Sequence, residues 1–180
     1  MPLVAFDYRF SVRLPASADA AYQWATDYAP DDLGRMGEVG RRQIQRLAEG
    51  TILLTDTVRA GGRQVTKKRL VRLRPAARSW TNTHVAGPTR HSQFLYTIVP
   101  EGPHRSRLEF VGLQVERSSR RLTEGELSRR AHALAREDAA AWDRLARAMA
   151  EELGTASPPR RSARPRTAPA PRRSPRARSA

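Results

Sequence analysis

Four histidines, at positions 84, 91, 104 and 132, and no cysteine make up the imidazole and thiol inventory of this 180-residue chain. Without thiols there is no disulfide framework, thiolate metal site or cysteine nucleophile, which suits a reducing compartment and a cytoplasmic protein. Two of the histidines lie in SWTNTHVAGPTRHSQFLY, residues 79–96, on either side of a Gly87-Pro88 turn. A hairpin centred on that pair sets His84 opposite His91, Asn82 opposite Gln93 and Trp80 opposite Leu95. Imidazoles meeting in this way suit proton transfer near neutral pH. A third group comes from the C-terminal helical stretch, where Asp138 interrupts an apolar stripe; a carboxylate in such a place is costly unless paired. His84, His91 and Asp138 are therefore the catalytic candidates, a polar cluster able to orient a carbonyl-bearing hydrophobic ligand or take a proton from it.

A competing assignment turns the histidine face of the hairpin to solvent and pairs Asp138 with Lys67, Arg69, Arg72 or Arg107. Alternation does not choose between the two, because a face carrying Thr81, Thr83, Phe94 and Tyr96 is at least as apolar as one carrying Trp80 and Leu95. No metal is expected: HExxH is absent, the histidines lack ligand spacing, and nothing else accompanies a His84/His91/Asp138 triad of the non-haem iron type. No GxGxxG or GxxxxGK[ST] loop occurs, so no nucleotide cofactor is expected either. Asp27, Asp31 and Asp32 read as helix caps.

The elements that position these residues follow from periodicity. VAFDYRFSVRL (4–14) alternates as a strand and stops at Pro15. Ser17 is a suitable N-cap for ADAAYQWATD, with Ala21, Trp24, Ala25 and Tyr28 at helical spacing, and a second short helix runs from Leu33 to Met36 before Gly37. Six β-rich runs follow, RRQIQRLAE, TILLTDTVRA, QVTKKRLVRLR, RSWTNTHVA, RHSQFLYTIV and RSRLEFVGLQVE. The turns between them are too short for anything but an antiparallel meander. Thr123 and Glu126 form a capping box ahead of a helix that reaches about Leu153, with Leu127, Ala131, Leu134, Trp142, Leu145 and Met149 on one face.

The net charge is +15, from 33 basic and 18 acidic residues. Residues 155–180 hold eight arginines, six prolines and no acid, so residues 1–154 keep 25 basic against 18 acidic groups, or +7. The tail has no aliphatic residue larger than alanine and is expected to be disordered, whereas 1–154 can bury a core. The tail is either solubilising or a weak contact for nucleic acid or an anionic membrane. In KKRLVRLR (67–74), Lys67, Arg69, Val71 and Leu73 share one face; Lys68, Leu70, Arg72 and Arg74 share the other. Lys68, Arg72, Arg74 and Arg78 could thus supply a phosphate-binding surface. There is no run of about 18 apolar residues, so no transmembrane segment is expected.

The order of strand, two short helices, six meander strands and one long C-terminal helix resembles the START-like, or SRPBCC, superfamily, in particular its polyketide cyclase/dehydrase and lipid-transport group. The resemblance covers residues 3–154 and includes LPAS ahead of AAYQWATD, the YTIVPEG run ending at Pro100, and SRLEFVGLQVE as last strand. It implies an α+β helix-grip fold of about seven strands curved around the long helix, with a cavity between. It also implies binding of a hydrophobic small molecule or lipid, with cyclase or dehydrase activity in some members. Large aromatics and the polar candidates then become the ligand-binding set: Trp24, Tyr28, Trp80, His84, His91, Phe94, Tyr96, Phe110, Asp138 and Trp142. The rival function is nucleic-acid or anionic-membrane binding through the basic strand face and the tail.

Overall fold

The computed structural model describes residues 2–155. The basic tail expected at 155–180 lies, beyond Thr155, outside the described residues. β1 (Leu3–Leu14) leads into α1 (Ala18–Thr26) and α2 (Asp32–Arg35), and the meander follows as β2 (Gly40–Ala48), β3 (Thr51–Ala60), β4 (Arg63–Arg74), β5 (Ser79–Ala86), β6 (Gln93–Gly102) and β7 (Arg105–Arg117). The chain then enters α3 (Glu124–Thr155). The seven strands form one antiparallel sheet in the order β1-β7-β6-β5-β4-β3-β2, so every consecutive pair from β2 to β7 is a hairpin. The single long connection is the helical one, which carries the chain from β1 at one edge to β2 at the other.

Local chemistry sets the ends of these elements. The Ser17 hydroxyl accepts from the Ala20 N–H at 3.4 Å at the start of α1. At the start of α3 the capping box is complete: the Thr123 hydroxyl accepts from the Glu126 N–H at 3.3 Å, and the Glu126 carboxylate accepts from the Thr123 N–H at 2.9 Å. At 32 residues, α3 spans about 48 Å and crosses the sheet. No helix among the described residues is long and apolar enough to cross a membrane.

The β5–β6 hairpin differs from the expected pairing by one residue. Trp80 pairs with Tyr96, Asn82 with Phe94 and Thr83 with Gln93. At the turn the His84 N–H donates to the Ser92 carbonyl at 2.9 Å, and the His84 carbonyl accepts from the His91 N–H at 2.9 Å. Two residues therefore oppose one, which is a β-bulge, and His91 occupies the left-handed position at φ 80° that such a bulge needs. His84 consequently faces Ser92, and the expected His84–His91 pair does not form. The slip also changes the partition of side chains: Phe94 and Tyr96 lie on the face of Trp80, Asn82 and His84, not on that of Thr81 and Thr83.

That inner face packs against α3 in two adjoining clusters. One gathers Leu14, Ile52, Leu54, Val71, Trp80, Ile98, Leu108 and Met149; the other gathers Phe6, Tyr8, Phe94, Phe110 and Leu134. Phe110 stacks on Phe10 with ring centres 4.4 Å apart and is wholly core. The second cluster depends on Gly112. A Cβ there would sit 2.6 Å from Phe110 Cζ and 2.8 Å from Phe94 Cδ1. Gly112→Ala is therefore expected to destabilise the protein by about 1–3 kcal/mol, measured by urea denaturation; an unchanged midpoint would show that the rings move aside freely.

Candidate functional site

Between α3, the helical connection and the inner face of β2–β6 lies a cavity of about 340 Å³. Its apolar wall is built from side chains that the meander brings together from different strands. Trp80 and Tyr96, opposite one another on β5 and β6, stack with ring centres 4.9 Å apart and planes 4° from parallel. Trp142 of α3 closes on both, at 6.1 Å from Trp80 and 5.7 Å from Tyr96. Phe94 continues the wall and meets the His84 ring edge-on at 4.9 Å. At the helical connection Trp24 lines the cavity and its indole N–H donates to Glu152 of α3 at 2.8 Å, while the Arg35 guanidinium lies 5.5 Å over its ring.

His84 reaches the cavity because it alternates with Trp80 and Asn82 on the inner face of β5. Its Nδ1 lies 2.7 Å from the Thr89 hydroxyl, with donor and acceptor set by the ring's tautomer. Burial, reinforced by the positive charges of Arg69 and Lys67, pulls its pKa down to about 3, so the ring is neutral at pH 7. Asp138 also lines the cavity. Its partner is neither a histidine nor a strand cation: the Tyr8 hydroxyl donates to Oδ2 at 2.6 Å. Burial raises the Asp138 pKa above the ordinary carboxylate value, against the lowering effect of the Tyr8 bond. That burial follows from the position of Asp138 within the apolar stripe of α3.

Of the ten residues read from the sequence as ligand-binding, Trp24, Tyr28, Trp80, His84, Phe94, Tyr96, Asp138 and Trp142 line this one cavity. His91 does not, since it sits exposed on the turn, and Phe110 does not, since the packed rings around it fill its surroundings. The His84/His91/Asp138 triad is thereby taken apart. Among the described residues no group of three or more His, Asp or Glu is arranged to hold a metal ion.

A charged network on the same cavity wall escaped the sequence reading. Asp56 of β3 is 1% exposed and accepts from Arg42 Nε at 2.8 Å and Nη2 at 3.1 Å, and from Arg69 Nη2. Arg42 also reaches Asp32 at 2.8 Å. Burial raises the Asp56 pKa, but the two guanidiniums outweigh it and hold the carboxyl below its usual range. Asp32, pushed up by burial with Arg42 opposing, reaches about 6. It is thus an ion-pair partner more than a helix cap, and Asp31 likewise makes no side-chain cap but pairs with Arg35 at 3.0 Å. The sequence did carry a clue. In TILLTDTVRA the inward row is Ile52, Leu54, Asp56 and Val58, and an acid in that row requires a cation beside it.

No family model matches the chain, and no curated protein matches it. Solved structures do share its architecture. The aromatase/cyclase ZhuI from Streptomyces sp. R1128 superposes with TM-score 0.68 at 16% identity, over 83% of this chain and 96% of that one. A START superfamily protein from Mycobacterium smegmatis gives 0.60 at 19%, over 84% and 99%. Norcoclaurine synthase from Thalictrum flavum gives 0.62 at 13%, over 86% and 90%. Together with the seven-stranded sheet gripping α3, these likenesses give the fold as START-like.

The neutral state of His84 has a consequence for stability. The unfolded chain takes up a proton as pH falls through about 6.5, while the folded chain resists until about 3. Stability should therefore fall with pH across that window, with a limiting slope of about 1.4 kcal/mol per pH unit. Asp32 acts in the opposite sense between about 6 and its unfolded value, since its folded form holds the proton more tightly. Chemical denaturation of wild type and His84→Gln side by side cancels that shared contribution. Wild type is expected to lose more stability than the variant between pH 6.5 and 4; parallel curves would mean that His84 titrates freely.

Proposed function

We propose that this START-like chain binds a flat hydrophobic small molecule or a lipid in the cavity between sheet and helix. The observation that carries this reading is the wall of Trp80, Tyr96 and Trp142 around about 340 Å³ of space, with a few polar groups set into it. Apolar concave sites with sparse, fixed polar groups are the usual form of small-molecule sites. The fold hosts carriers and enzymes alike, so chemistry has to be argued from the side chains.

The chemistry that fits them is proton transfer of the cyclase/dehydrase kind. Asp138, its pKa raised by burial and one oxygen fixed by Tyr8, is the group best matched to accept a proton from a carbon beside a carbonyl. His84 stays neutral and serves as a hydrogen-bonding group for ligand oxygen. His91, exposed on the turn, takes no part.

Binding is tested with 1-anilinonaphthalene-8-sulfonate by fluorescence titration, and by native mass spectrometry of freshly purified protein for a co-purifying apolar molecule. Saturable one-to-one binding, weakened about tenfold or more by Trp142→Ala, is expected. Non-saturable binding that ignores this substitution would overturn the reading. Once a turned-over ligand is found, Asp138→Asn should abolish turnover while preserving affinity within about threefold.

A second reading rests on the outer face of β4, where Lys68, Arg72 and Arg74 are exposed and form no ion pair among the described residues. Arg78, grouped with them in the sequence, is tied to Asp19 at 2.5 Å. If this face binds nucleic acid or an anionic membrane, replacing the three cations by serine reduces binding to duplex DNA or phosphatidylserine vesicles at about 50 mM salt. The loss should shrink at about 200 mM; binding that persists in the triple variant points to the tail.

A further inference from the structure

The outer face of the sheet, turned away from α3 and from the cavity, carries exposed hydrocarbon that neither core packing nor ligand binding uses. Phe94 and Phe110 are core residues, so their strand neighbours Leu95 and Val111 point to solvent, where they stay 39% and 57% exposed. The two are direct partners on β6 and β7. A singly exposed aliphatic residue is ordinary, whereas two that face each other across adjacent strands form a joint apolar surface. Leu113, two residues along β7, extends it while half-buried.

The register sets this pair in the middle of a row that crosses β4, β5, β6, β7 and β1: Arg72 opposes Thr81, Thr81 opposes Leu95, Leu95 opposes Val111, and Val111 opposes Arg9. At about 4.8 Å between strands, the two arginines stand about 19 Å apart with the apolar pair between them. Lys68 and Arg74 share that side of β4, Arg13 shares that side of β1, and all of these cations are exposed. None makes an ion pair among the described residues, and the nearby Glu101 and Glu109 are both held by Arg107, at 2.8 and 2.7 Å. Asp7, on the outer side of β1, offsets only part of the charge.

Unbalanced positive charge around exposed hydrocarbon narrows the choice of occupant. A second copy of the chain is repelled by the same charge. A nucleic acid satisfies the cations through its phosphates but offers nothing to Leu95 and Val111, and among the described residues no aromatic side chain alternates onto this face of β1 or β4–β7 to stack on a base. An anionic bilayer supplies both chemistries, charged headgroups for the cations and the acyl boundary for the aliphatic pair. Resting on the second reading above and committing it to one occupant, we infer that the outer face of the sheet, with Leu95 and Val111 at its centre and Arg9 and Arg72 beside them, docks onto an anionic lipid bilayer. The cations hold headgroups while the aliphatic pair enters the boundary between headgroups and acyl chains. The cavity, on the other side of the sheet, is left clear.

Two measurements on the full chain test this. Sedimentation at about 100 mM salt should show binding to vesicles of phosphatidylserine and phosphatidylcholine, and none to phosphatidylcholine alone. Leu95→Thr combined with Val111→Thr keeps every charge and suits a strand; it is expected to weaken vesicle binding about tenfold and to leave affinity for duplex DNA within about twofold. Arg9→Ser combined with Arg72→Ser should weaken vesicle binding about tenfold or more at that salt. The chain contains no cysteine, so a nitrobenzoxadiazole label attached in a Val111→Cys variant reports insertion at this one place. Its emission is expected to shift to the blue and brighten on anionic vesicles, whereas the same label in Ala140→Cys, exposed on α3, stays unchanged. That contrast separates docking of the face from tethering by the tail, and it carries the test should the threonine pair fail to fold. Vesicle binding that the threonine pair leaves unchanged, or a Val111→Cys label that does not respond, refutes bilayer docking. If the arginine pair still weakens binding to duplex DNA, nucleic acid is the occupant and the second reading survives. Binding to neither vesicles nor DNA overturns both.

Discussion

A single bulged residue at the β5–β6 turn governs which side chains of β6 the cavity receives. With His91 in a left-handed conformation, β6 is offset by one position against β5, and in a strand one position is the difference between core and solvent. Trp80, Asn82, His84, Phe94 and Tyr96 then share one face. Phe94 and Tyr96, and with them the stack of Tyr96 on Trp80, owe their inward position to that offset, whereas Asn82 and His84 are placed by the alternation of β5 itself. Glycine is the usual occupant of such a bulge, and the structure places a histidine there instead, which leaves His91 on the surface with a conformational role.

The inner face is not a conventional hydrophobic interior. Arg42, Asp56, Arg69 and Asp32 form a buried ionic chain beside the aromatic wall. Such chains contribute little net stability, because desolvation offsets attraction. They are costly to break, though, and they fix geometry. Here the chain ties β2, β3 and β4 to Asp32 of α2, in the helical connection that borders the cavity. Buried charges and unpartnered polar atoms around a hollow are a poor arrangement for stability alone.

The opposite end of the cavity uses the same device on a smaller scale. Asp138 sits where the apolar stripe of α3 would put a leucine, and Tyr8 from the edge strand β1 satisfies one of its oxygens. β1 and α3 are distant in sequence, so the raised pKa of this carboxylate belongs to the assembled fold and to no local motif.

The element order, the helix caps at Ser17 and Thr123, the antiparallel meander and the amphipathic α3 were all legible in the sequence, because each is set by periodicity and by turn or cap chemistry within a few residues. So was the presence of an out-of-place carboxylate at Asp138, since a helical stripe shows its own interruptions. The partner of that carboxylate was not legible, because the sequence offered several cations near the right place and no measure of distance to Tyr8. Neither was the loss of the His84–His91 pair: a Gly-Pro turn is compatible with several loop lengths, and only the backbone hydrogen bonds of the assembled hairpin choose among them. The Arg42–Asp56–Arg69 network lay between these cases, marked by one acid in an inward row but joined only when three strands came into register. What the sequence determined by itself was therefore whatever is encoded over a turn of helix or a pair of strand residues; the tertiary structure decided which distant side chains meet, because register and burial are properties of the whole sheet against its helix.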